Sequence, residues 1–264
     1  KQLSSVGRYN TIDLETLAKI EEAETHINNF LSKVKVIDNI KNATGIYKYV
    51  RNFALTIGTY YDKSGVALTD NEVNNVTAGN GDDYKKIDSY RTHEKNHYVV
   101  IVIDHLSLLQ PEMGETLWQT MSKMSSNYCL HFRDKFGFTP VIVQQMSAAK
   151  ESIEVNYQGK TIEEKLEPSL DAFGDNKTTT RDANVVLGLF APYRYNITEH
   201  NGYDVGFLKD KYRSMSILKS RDGEPNKKLP LFFNGAVDYF RELPRSDDRE
   251  NMEKVFELVN NLNK

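Results

Sequence analysis

Along residues 13–32 apolar side chains recur at steps of three and four, placing Leu14, Leu17, Ile20, Ala23, Ile27 and Phe30 on one face. That period predicts an amphipathic helix with Asp13 or Thr11 as its N-cap. A short strand, Val34–Ile37, is expected next. A second helix should run from a cap at Thr44 to about Thr56, with Ile46, Val50 and Phe53 inward and Lys48, Arg51 and Asn52 outward. From about Tyr61 to Asn96 the period dissolves into Asn, Asp and turn residues around Ala78-Gly79-Asn80-Gly81-Asp82. Val66, Leu68, Val73, Val76 and Ile87 show no sustained period there, so 61–96 reads as a polar surface insertion outside the core.

Beyond it strands and helices alternate. Tyr98–Ile103 is a continuous β-branched run that ends at Asp104, the pattern of a strand buried on both faces of a parallel sheet. A helix over 116–136 leads to a second such strand, Phe138–Val143, and Ala183–Leu189 supplies a third. Strand, helix, strand implies a right-handed crossover and an α/β fold. Arg213–Leu218, Lys228–Phe233 and Val237–Arg241 read as shorter strands joined at Asp222-Gly223 and Asn234-Gly235, an antiparallel hairpin edge. Met252, Val255, Phe256, Val259 and Leu262 mark a last amphipathic helix over 247–262. Residues 1–245 are thus expected to form one core carrying the insertion, with 246–264 as a C-terminal helix, and no internal repeat interrupts this order.

Composition narrows the class without deciding it. The 264 residues are 39% hydrophobic and 27% charged, as in ordinary globular proteins, and no apolar run approaches the ~20 residues of a membrane helix. The net charge of −3 argues against an overall basic coat, yet a nucleic-acid channel needs only local positive charge. One cysteine, Cys129, cannot pair within the chain, and no signal-like segment opens it, so a cytoplasmic location is expected. The Asn-x-Thr triplets at Asn42, Asn75, Asn176 and Asn196 carry no weight there.

Ligands of open α/β sheets bind at the carboxyl ends of the strands. Asp104, ending an apolar strand, stands where a metal-bound phosphate would sit, and Mg²⁺ held through water would compensate its charge. The plainer alternative is a cap for the next segment. Gln144 and Gln145 follow the second strand. An amide both donates and accepts, so either could report a phosphate's presence, unless the pair merely faces a loop.

Taken together these segments resemble a known family. Asp104-His105-Leu106 with Leu108-Leu109 resembles the Walker B segment D-Y-L-x-L of DnaB-type replicative DNA helicases, and Val141 to Met146 their V-x-x-S-Q-L. Pro168-Ser169-Leu170 and Arg181-Asp182-Ala183-Asn184-Val185-Val186 are similar to P-x-L…Q-D-A-D-V-V, and Lys219-Ser220-Arg221-Asp222-Gly223 to K-x-R-x-G. The similarity reaches to about Leu243, leaves the insertion outside, and looks most like the divergent helicases of large bacteriophages. It implies a RecA-like core, a twisted, mostly parallel sheet flanked by helices, with an antiparallel hairpin edge and the N-terminal part of that core missing.

The resemblance also implies roles. Asp104 would position Mg²⁺, and Gln145 would couple the γ-phosphate of ATP to the following loop. Residues 172–178 would face single-stranded DNA in the channel of a homo-oligomeric, hexameric ring. Where the family carries R-E-S-G this chain has Gly174, Asp175, Asn176 and Lys177, so its basic contact shifts to Lys177. Lys219 and Arg221 would act in trans on a neighbour's nucleotide, an arginine-finger role. A primase or a helicase loader is implied as a partner, in the host cytoplasm if the protein is phage-encoded.

One part is absent from the sequence. No G-x-x-x-x-G-K-[ST] phosphate loop occurs, and at Gly159-Lys160-Thr161 the first glycine is replaced by Glu154. The simplest account is a fragment of a longer polypeptide, inactive alone. Two other readings stay open: a degenerate, non-hydrolysing module that binds DNA or a replisome partner, and a RecA-like recombination ATPase.

Overall fold

The computed structural model describes residues 13–69, 72, 87–145, 166–173 and 177–262. The chain divides into two compact units, Lys1–Ile40 and Lys41–Lys264. In the first, Asp13 caps helix α1 (Leu14–Leu31), its carboxylate accepting the Thr16 backbone N–H at 2.8 Å. Although its sequence is amphipathic, α1 has no buried residue. Val34–Ile37 does not form the expected strand. A strand needs a ladder partner for its backbone groups, and the described residues of this unit offer none.

The second unit opens with α2 (Ala43–Ile57), capped by Asn42, which accepts the Gly45 N–H at 3.0 Å. Thr44, the expected cap, bonds Glu112 and Tyr128 instead. The buried face is Ala43, Tyr47, Val50, Arg51 and Ala54. It is therefore rotated from the expected one. Tyr47 lies inward because its ring stacks on Tyr128 and Phe132, at 4.6 and 5.7 Å between centroids, and Arg51 one turn on is carried in with it.

Strands β1 (Gly58–Tyr61) and β2 (Ser89–Thr92) pair antiparallel at the base of the 61–96 segment. Most of that segment lies outside the described residues, but its base corrects the expectation of a stretch outside the core. Ile87 is buried, and Leu68 and Tyr90 pack on the same cluster. Pairing of β1 with β2 brings Tyr90 against Phe136 and Phe138, and a sequence period cannot register a contact made from the two ends of an insertion.

Strand β3 (Val100–Ile103) precedes α3 (Leu117–Ser122), which opens on a reciprocal capping box of Thr116 and Gln119. The helix continues through a π-helical stretch, Lys123–Cys129, into α4 (Leu130–Phe136), and stops at Gly137 in the left-handed conformation (φ 68°) that favours glycine. The chain returns as β4 (Thr139–Ile142), parallel to β3, with Val102 opposite Val141.

After α5 (Lys177–Asp182) come β5 (Val185–Phe190), β6 (Glu199–His200), β7 (Tyr203–Asp204), α6 (Val205–Leu208), β8 (Tyr212–Ser220), β9 (Lys228–Asn234), β10 (Tyr239–Glu242) and α7 (Arg249–Leu262). The largest sheet has the order β10-β9-β8-β5, and every pairing in it is antiparallel. The expected hairpin edge is present. The expected mostly parallel sheet is not: among the described strands only β3 and β4 are parallel, because β5 pairs with β8 and no hydrogen bonds join it to β4.

The largest sheet buries one face. Tyr212 and Phe232 of the larger sheet pack against Val205, Leu208, Met252 and Val259 of α6 and α7. On its other face Leu187 and Leu189 stay half exposed beside Ile217 and Met215, their register partners. Similarly Val100 and Val102 are 60% and 62% exposed, which corrects the expectation that β3 is covered on both sides. Ile103 alone on that strand is buried, over the core of α2, α3 and α4, and no described element supplies the second layer.

Candidate functional site

The parallel pair carries the first set of site residues. The Val143 N–H donates to the Ile103 carbonyl and the Leu106 N–H donates to the Val143 carbonyl, both at 3.0 Å. Asp104 and His105 are held between these two bonds, joined by a cis peptide. Asp104 is exposed, whereas Leu106 and Leu109 are buried and pin the segment to the core. The His105 Nδ1 lies 2.8 Å from the Ser107 hydroxyl. Because the strands are parallel, Asp104 and the two glutamines leave the sheet at the same edge.

The glutamines differ. Gln145 is exposed, while Gln144 is half buried and its Oε1 accepts the Thr179 hydroxyl at 3.0 Å. The link from the strand end to the segment after 172–178 is thus made by Gln144. Thr179 is buried in α5, and the neighbouring Thr178 hydroxyl approaches Ser122 of α3.

At the far end of α5 stand the two predicted cations. Lys219 Nζ donates to the carbonyls of Thr180 (2.7 Å) and Arg181 (2.8 Å), and Arg221 Nη2 donates to that of Arg181 (3.1 Å). These are the carbonyls a helix leaves unpaired, at its negative pole. A bulge directs the cations there. Leu187 pairs with Ile217 but Val186 pairs with Lys219, so Leu218 is an extra residue and Lys219 sits on the face opposite Ile217. Burial lowers the Lys219 pKa, as does the Arg221 charge, with Asp182 opposing.

Several residues here were not singled out by sequence reasoning. The Asp182 carboxylate accepts both the Ser125 (3.3 Å) and the Ser126 hydroxyls, and Arg133 Nη1 donates to the Asp182 carbonyl (3.2 Å) and Asn184 Oδ1 (2.9 Å). Both serines lie in the π-helical stretch, a distortion often found at functional positions. Earlier in the chain, Glu167 accepts from His200 Nε2 (2.6 Å) and from Lys228 Nζ (2.6 and 2.7 Å). Burial alone would raise the Glu167 pKa, but these two donors and their charges hold it below the usual carboxylate range. Pro168 packs on Gly188, where a Cβ would come within 2.4 Å of the proline Cβ.

Of the predicted DNA-loop residues, Gly174, Asp175 and Asn176 lie outside the described residues. Lys177 opens α5 and is largely exposed, 3.8 Å from Asp171.

A magnesium ion bound with phosphates needs only one or two carboxylates and water, which Asp104 fits. Among the described residues no three His, Cys, Asp or Glu side chains form a metal site of their own. The donor set for ATP is incomplete, because the sequence supplies no glycine-rich loop to cradle the phosphates. No helix of the described residues is long and apolar enough to cross a membrane.

The fold so defined is α/β, a short parallel pair and an antiparallel sheet, with the Gln144 amide and the Lys219–Arg221 pair bonded to α5. A solved DnaB-like replicative helicase, studied for its interactions with primase, is similar over 89% of this chain and 44% of its own, at 16% identity and a TM-score of 0.58. A second solved structure, described as an ATPase domain, is similar over 57% of this chain and 46% of its own, at 18% identity and a TM-score of 0.46. The chain spans less than half the length of either. No protein-family model matches it, and no curated protein does. At this identity the likeness is one of fold.

Proposed function

We propose that this chain is part of the motor core of an ATP-driven, ring-forming replicative DNA helicase. In this reading Asp104 orients Mg²⁺ at the edge of β3. Gln144, with Gln145 beside it, senses the phosphates. Residues 172–178, Gly174 to Lys177 among them, meet the backbone of single-stranded DNA, and Lys219 and Arg221 neutralise charge on the nucleotide of the adjacent subunit. A primase or a loader is the proposed partner of the assembled ring.

The observation that supports this most is the path between the two groups of site residues. One hydrogen bond, from Thr179 to Gln144, ties the strand edge bearing Asp104 to the same short helix whose last carbonyls hold Lys219 and Arg221. A protein whose task is to relay phosphate chemistry to a DNA-contacting loop and to a neighbouring subunit can use such a path.

The test mixes two variants of the complete protein. Arg221→Ala keeps its acceptor site and loses the cation; Asp104→Asn keeps the cation and loses the acid. Each alone should hydrolyse ATP far more slowly than wild type, Arg221→Ala by ~1000-fold or more, as known for arginine fingers. Mixed rings should regain part of the activity, at interfaces that join an intact acid to an intact arginine. Mixed rings that form but recover nothing would remove the trans role, and DNA binding without hydrolysis in the wild type would favour the non-hydrolysing module.

A further inference from the structure

The Lys219–Arg221 pair is only as well placed as the carbonyls that hold it. Two of the three Lys219 ammonium hydrogens and one of the five Arg221 guanidinium hydrogens are engaged with Thr180 and Arg181. The remaining donors can meet an anion. Both acceptors belong to the last turn of a six-residue helix, and so short a helix is not rigid by itself. Something outside it must fix its end.

That end is fixed at Asp182. Through Oδ2 its carboxylate takes two hydroxyls from consecutive residues, Ser125 and Ser126, and through Oδ1 it accepts from Arg181 Nε at 3.2 Å. In a regular α-helix neighbours in sequence point about 100° apart. The π-helical stretch Lys123–Cys129 is where both reach one carboxylate. Arg133, further along the same helical run, holds the Asp182 carbonyl and the Asn184 side chain, while the Asn184 carbonyl accepts the Arg221 backbone N–H at 3.0 Å. One clasp therefore sets both the helix end and the strand residue that bears the guanidinium.

We infer that Asp182, clasped by Ser125 and Ser126, is the positioning residue of the Lys219–Arg221 pair, holding the α5 carbonyls that aim both cations at a phosphate. The phosphate being a neighbour's nucleotide rests on the motor reading; the clasp itself does not.

The experiment reads the two separately. In the complete protein, acylation of Lys219 by a water-soluble amine reagent is followed by peptide mass spectrometry, with exposed Lys63 as the internal reference. Asp182→Ala should raise Lys219 acylation about fivefold, but it also removes a charge that favours the Lys219 ammonium, so the serine variant is the decisive arm. Ser125→Ala/Ser126→Ala, which leaves the carboxylate in place, should raise it by a smaller factor. ATP hydrolysis should show lowered kcat with little change in KM, since the subunit's own nucleotide site is untouched. Circular dichroism checks the fold of each variant, and the serine variant serves if Asp182→Ala does not fold. Unchanged Lys219 labelling in folded variants overturns the inference, whatever the activity. Raised labelling in a protein that hydrolyses nothing even as wild type would leave the clasp standing and remove the motor reading.

Discussion

His131 lies inside the aromatic stack of the core, 2.8 Å from the Tyr47 hydroxyl through Nδ1, with its ring 5.5 Å from the Tyr47 ring. Burial raises the tyrosine's own pKa far out of reach, so the phenol stays a donor and Nδ1 accepts. Burial, with the nearby Lys135 charge, lowers the His131 pKa from 6.5 to about 4. The unfolded chain therefore binds the proton more readily than the folded one between those values. Stability from this residue is complete above 6.5 and declines as pH falls toward about 4. The decline should approach about 3 kcal/mol, one pKa unit corresponding to about 1.4 kcal/mol. His131→Gln removes the titration, so the difference in urea stability between the two proteins should shrink in that window; parallel curves down to pH 4 would show that His131 is not held neutral by the fold.

At the scale of elements, Pro168 sits close on Gly188 of β5. A methyl at Gly188 would meet the Pro168 Cβ at 2.4 Å and Leu218 Cδ1 at 3.1 Å. Gly188→Ala must push the proline and its neighbour Glu167 away from β5, at an overpacking cost of about 2 kcal/mol. A lowered melting temperature is the expected reading, and an unchanged one would mean that Pro168 is free to move. Nothing in the sequence marks this contact beyond a lone glycine in an apolar run.

The elements that sequence revealed are those whose signal is local. Helices α2 and α7 and strands β3, β4, β5 and β8 to β10 follow from hydrophobic period and turn residues within a few positions of where they lie. The inward turn of Arg51 and the burial of Ile87 did not show, since both depend on aromatic partners far along the chain. For the site the division is similar. Strand ends exposed Asp104 and the glutamine pair to inspection, but choosing Gln144 over Gln145 as the α5 contact required knowing where Thr179 stands. The Asp182 clasp spans 56 residues to Ser126, and a serine in mid-helix carries no mark of its partner.

For the molecule as a whole, the apolar side chains outnumber the layers that cover them. Leu187 and Leu189 with Ile217 and Met215 on the larger sheet, and Val100 and Val102 on the parallel pair, meet solvent in the folded protein. Contiguous exposed apolar faces are where a soluble protein meets a partner or a ligand. The chain by itself should bind a hydrophobic fluorescent dye while native, and Leu187→Thr/Leu189→Thr should weaken that fluorescence with little loss of stability; a native protein that leaves the dye dark would show these faces covered. Calorimetry gives the same feature an independent reading. The heat capacity of unfolding comes from apolar surface newly wetted, and surface already wet contributes none. Unfolding of this chain should therefore fall below the ~12–15 cal/mol/K per residue of fully packed domains, so its stability curve is flatter than its length alone would set.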